Sequence, residues 1–120
     1  MRTYIGYTKN VRKDELLKLF DLDYEKDADG YSFFEDKFGA DFVDSSSFGV
    51  LSKEDYPDEE FGFRLIEKLF PFQIPANSKL SELDYSEVEC VFVFLDEATI
   101  SPREVDGVVI LEGHEGDLYE

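Results

Sequence analysis

The chain has 120 residues, enough for one domain with a single core. Its hydrophobic share of 42%, with 12 Phe and 7 Tyr, excludes an acidic disordered chain, because such chains are poor in aromatics. The formal net charge of −17, from 29 acids and 12 bases, excludes nucleic acid and anionic membrane as direct partners, since holding phosphates takes Lys and Arg.

The stretch "RTYIGY" (2–7) is β-rich and predicts a strand. "VRKDELLKLF" (11–20) predicts a helix capped by Asn10, with Leu16, Leu17 and Phe20 on one face. An acidic segment follows, "YEKDADGYSFFED" (24–36). Its "SFFE" fits a capping box between Ser32 and Glu35, opening a second helix with Phe34 and Phe38 one turn apart and Gly39 at its exit. "DFVD" (41–44) and "FGVL" (48–51) are short strand-like pieces either side of a serine turn. Pro57 is expected to open a third helix, with Asp58, Glu59 and Glu60 complementing its positive end. Phe61, Leu65, Ile66, Leu69 and Phe70 would be its buried stripe, ended by Pro71. After a loop holding one short helical turn, "VECVFVFL" (88–95) is apolar on both faces and belongs inside a sheet covered on both sides. A polar loop with Pro102 leads to a last strand, "GVVILEG" (107–113). The order β-α-α-β-α-β-β predicts one acidic α+β domain over residues 1–120: a small, partly antiparallel sheet packed by about three helices. No run is apolar and long enough to span a membrane, the N-terminus lacks a signal-like stretch, and the lone Cys90 fits a reducing compartment. A cytoplasmic protein is expected.

The acidic segment invites comparison with a calcium loop. In the best register Glu25, Asp27 and Asp29 take the first three ligand positions, Gly30 the bend, and Tyr31 donates its carbonyl. Three features oppose it: Glu25 stands where the shorter Asp is expected, Ser32 where an aliphatic residue pairs with a second hand, and Asp36 where a bidentate Glu is needed. The chain also has no second such loop, and the capping box uses Ser32 and Glu35 locally. No metal or other cofactor is therefore expected, and a calcium-binding module is the weakest functional alternative.

Catalytic signals are absent. His114 is the single histidine and is expected on the surface among acids; Cys90, inside a strand, is expected as a small buried hydrophobe. No phosphate-binding glycine loop occurs, and carboxylates are too many for any two to mark an acid and a base. No enzyme is expected.

Several of these segments together resemble a bacterial immunity-protein family, the one numbered twenty-two among the immunity families of polymorphic toxin systems. Its members tend to start with an aromatic-x-Gly strand, here "YIGY" with Gly6, followed by a helix of the type filled here by "VRKDELLKLF" and an acidic, variable link. Their most specific piece is a Ser-x-Phe-x-x-Asp-x-Gly pattern running into an Asp; here "SFFEDKFGADFVD" supplies Ser32, Phe34 and Gly39, with Asp44 beyond. A hydrophobic strand pair near the C-terminus completes the likeness, which covers about three quarters of the chain. Tyr4 stands where the family often has Trp, and "DSSSFGVLS" where it often has an acidic Asp-x-Asp-Phe.

The resemblance implies a protein that binds and neutralises a cognate toxin domain in contact-dependent growth inhibition or a related toxin–antitoxin system. The charge suggests how: many such toxins act on nucleic acid through basic grooves, and a chain of net charge −17 would be drawn to one quickly. Two acidic clusters with aromatics are candidate toxin-binding surfaces: Asp23, Tyr24, Glu25, Asp27, Asp29 and Tyr31 in one, and Glu54, Asp55, Tyr56, Asp58, Glu59 and Glu60 in the other. The like charge also disfavours self-association, so a free monomer is expected. A DNA-mimic inhibitor of a nucleic-acid-binding enzyme shares the electrostatics but would need two rows of carboxylates at phosphate-like spacing.

Overall fold

Tyr4 and Ile5, side by side in the first strand, are both buried although they point to opposite faces, so the strand they belong to lies inside the protein. The computed structural model describes residues 2–20, 49–70, 74 and 77–116. In chain order these form β1 (Arg2–Thr8), α1 (Lys13–Phe20), β2 (Gly49–Ser52), α2 (Phe63–Leu69), β3 (Cys90–Asp96), β4 (Arg103–Val105) and β5 (Val108–Glu115), with 3-10 turns at Lys53–Asp55 and Lys79–Glu82. The strands make one sheet in the order β2-β3-β1-β5-β4, and every pairing is antiparallel.

This corrects the expected α+β fold, a small, partly antiparallel sheet packed by about three helices. The sheet is five-stranded and antiparallel throughout, and the described helices are two short ones of 8 and 7 residues. The second helix expected from Ser32 lies outside the described residues. The helix expected from Pro57 starts at Phe63 instead. The Glu59 N–H bonds to the Tyr56 carbonyl, closing a turn that holds Asp58 outside any helix, and Gly62 is extended at φ −163°, so the acids precede the helix rather than open it. Leu65, Ile66, Phe61 and Phe70 are buried as the stripe predicts; Leu69, the last helical residue, is exposed, and Phe70 packs inward in the following extended position. Asn10 does not cap α1. It sits in the left-handed region at φ 59°, and the Glu15 carboxylate reaches back to the Arg12 N–H.

The strand pattern sorts the core into two layers. Tyr4, Phe92, Phe94, Val108 and Ile110 face one side with Leu16 of α1 and Ile100. Ile5, Val91 and Val93 face the other, beneath Leu65 and Ile66 of α2 and Leu80 of the second 3-10 turn. β3 lies between β2 and β1 with residues buried on both faces, as its continuous apolar run predicts. The Tyr4 hydroxyl donates to the Ala98 carbonyl and accepts from the Ile100 N–H at 2.9 Å, fastening the segment after β3 over the first layer. Gly6 lies where a Cβ would collide with the Phe92 ring and the Val109 carbonyl, so the aromatic-x-Gly strand needs its glycine for close packing.

β5 carries a bulge. Ile5 pairs with Glu112 while Gly6 pairs with Ile110, so Leu111 is an extra residue. A one-residue insertion inverts the alternation, and Glu112 and His114 therefore stand on the α2 face instead of on the face of Ile110. No helix among the described residues is long and apolar enough to cross a membrane.

Candidate docking groove

The turn before α2 and the chain after the second 3-10 turn run side by side over the second core layer and leave a groove of about 680 Å³ between them. Its apolar surface comes from Phe61, Leu65, Leu83 and Tyr85, with Phe63 and Gly62 along one wall. Phe61 and Leu65 are buried beneath, and the Phe61 and Tyr85 rings meet edge to face at 6.2 Å. Tyr85 is half-buried, its hydroxyl donates to the Leu80 carbonyl, and burial pushes its phenol up to about 12. It stays neutral at physiological pH.

Charges surround this apolar floor. Glu59 and Glu60 are exposed at one lip, and Arg64 and Lys68, one helical turn apart, stand exposed on α2. Glu82 and Asp84, also exposed, alternate in sequence with the lining residues Ser81, Leu83 and Tyr85 but do not line the groove. Asp84 accepts from the Ser86 hydroxyl at 2.6 Å and the Ser86 N–H at 3.1 Å, which lowers its pKa and keeps it ionised.

The six candidates of the second acidic cluster divide. Glu59 and Glu60 join the groove; Glu54 and Asp58 are exposed beside it in sequence but do not line it. Asp55 is held by Lys13 at 3.0 Å, an ion pair tying α1 to the first 3-10 turn. Tyr56, the aromatic residue of that cluster, is half-buried against the second core layer. The first cluster, Asp23, Tyr24, Glu25, Asp27, Asp29 and Tyr31, and with it the calcium-like loop, lies outside the described residues. Sequence reasoning missed Phe63 and Tyr85 as groove residues. Phe63 follows the acids directly, and that adjacency was the available signal; Tyr85 has no local signal, being brought in by packing.

A second polar group lies at the bulge. Glu112, 8% exposed, accepts from the Ser78 hydroxyl at 2.9 Å and the Lys79 N–H at 2.7 Å, while its other oxygen meets His114 Nε2. His114 is thus half-buried and partnered, which corrects the surface position expected for it. The three side chains do not form a nucleophilic triad: the carboxylate stands between the hydroxyl and the imidazole, and Ser78 is 4% exposed. They clamp the second 3-10 turn to β5 and so hold one wall of the groove. Cys90 is fully buried, its thiol raised by burial, and no buried side-chain nitrogen or oxygen among the described residues lacks a partner.

No family model matches this chain, and no curated protein or solved structure matches it either.

Proposed function

We propose that the chain is a cytoplasmic immunity protein, of the type it resembles, that binds and neutralises a cognate bacterial toxin domain of basic, nuclease type. The observation that carries this reading is the groove: aromatic side chains form its floor, and the exposed carboxylates of Glu59 and Glu60 stand at its lip. Binding energy in protein interfaces concentrates in aromatic-lined pockets, while charges at the rim set the rate of encounter. The net charge of −17 draws a basic domain in, and its Lys and Arg then pair with carboxylates instead of phosphates. Inhibition is by occlusion, with no chemistry by the inhibitor.

Co-expression tests it. The neighbouring genes are read first for a basic domain at the end of a large secreted protein, and that domain is expressed with or without this chain. Restored growth and a complex that survives gel filtration are expected. Growth arrest in both cultures would overturn the reading. Equal binding to unrelated DNA-binding enzymes would instead mark a nucleic-acid mimic.

A further inference from the structure

We draw no further inference here: the strongest candidate, the apolar groove beside α2, belongs to the site already described, and with Glu59 and Glu60 balanced by Arg64 and Lys68 along its lining nothing in the structure shows which side chain covers it.

Discussion

Tyr4 joins the two ends of the sheet's wiring. Its ring stacks on Phe94 with centroids 5.5 Å apart, and its hydroxyl satisfies both the Ala98 carbonyl and the Ile100 N–H. Tyr4→Phe keeps the ring and orphans both backbone groups. It should cost about 1–3 kcal/mol in urea unfolding, and a smaller loss would mean water replaces the hydroxyl. Tyr85 gives a second residue-scale prediction, this one in pH. Its phenol ionises near 10 in the unfolded chain and near 12 in the fold, because burial disfavours the phenolate. The stability tied to its neutral form is therefore complete below pH 10 and lost as pH rises from there through about 12. Ultraviolet titration should show a late-ionising component that is lost in Tyr85→Phe; a curve unchanged by that substitution would contradict it. Burial of Cys90 was legible in the sequence, because its neighbours are apolar and the strand is continuous. The burial of Glu112 and His114 was not: an acid two residues from a histidine looks like surface until a bulge turns both onto a covered face.

Elements were legible where one signal acted alone. The apolar run of β3 had no competitor, and its place between two strands followed. At α2 two signals competed. Pro57 with Asp58, Glu59 and Glu60 has the chemistry of a helix start, but the turn at Tyr56 and the extended Gly62 prevail, and the helix waits until Phe63. That displacement matters for function, since it leaves Glu59 and Glu60 at the lip of a groove and not along a helix. β4 (Arg103–Val105) falls within what the sequence reads as a polar loop carrying Pro102. The better signal was Asp106-Gly107, whose φ values of 52° and 85° make the two-residue turn that joins β4 to β5. Gly107 packs against the Lys9 carbonyl, 2.7 Å from where a Cβ would sit, and accepts the Lys9 N–H at 2.8 Å. Gly107→Ala combines positive φ with that collision and should destabilise by more than about 1 kcal/mol. A neutral result in thermal unfolding would show that the hairpin and the Lys9 turn can separate.

At the scale of the molecule, charge and packing pull apart. Two apolar layers hold an all-antiparallel sheet, while a net charge of −17 pushes its surface outward. Salt should therefore raise the melting temperature of the free protein while slowing its capture of a basic partner, because screening weakens both repulsion and attraction. A melting temperature that falls or stays level with added salt would show that self-repulsion is not a significant strain on the fold. The overall acidity was plain in the sequence; where the acids gather was not, since Asp55 is spent on Lys13 and Tyr56 on the core. The central claim is that Glu59 and Glu60, at the lip of the α2 groove, guide a basic toxin onto its aromatic floor. The most direct measurement is stopped-flow association with the cognate toxin across ionic strength, for the unaltered chain and for Glu59→Lys/Glu60→Lys. A slower association for the variant, with a shallower dependence on salt, is the predicted result; identical rates and identical salt slopes would contradict it.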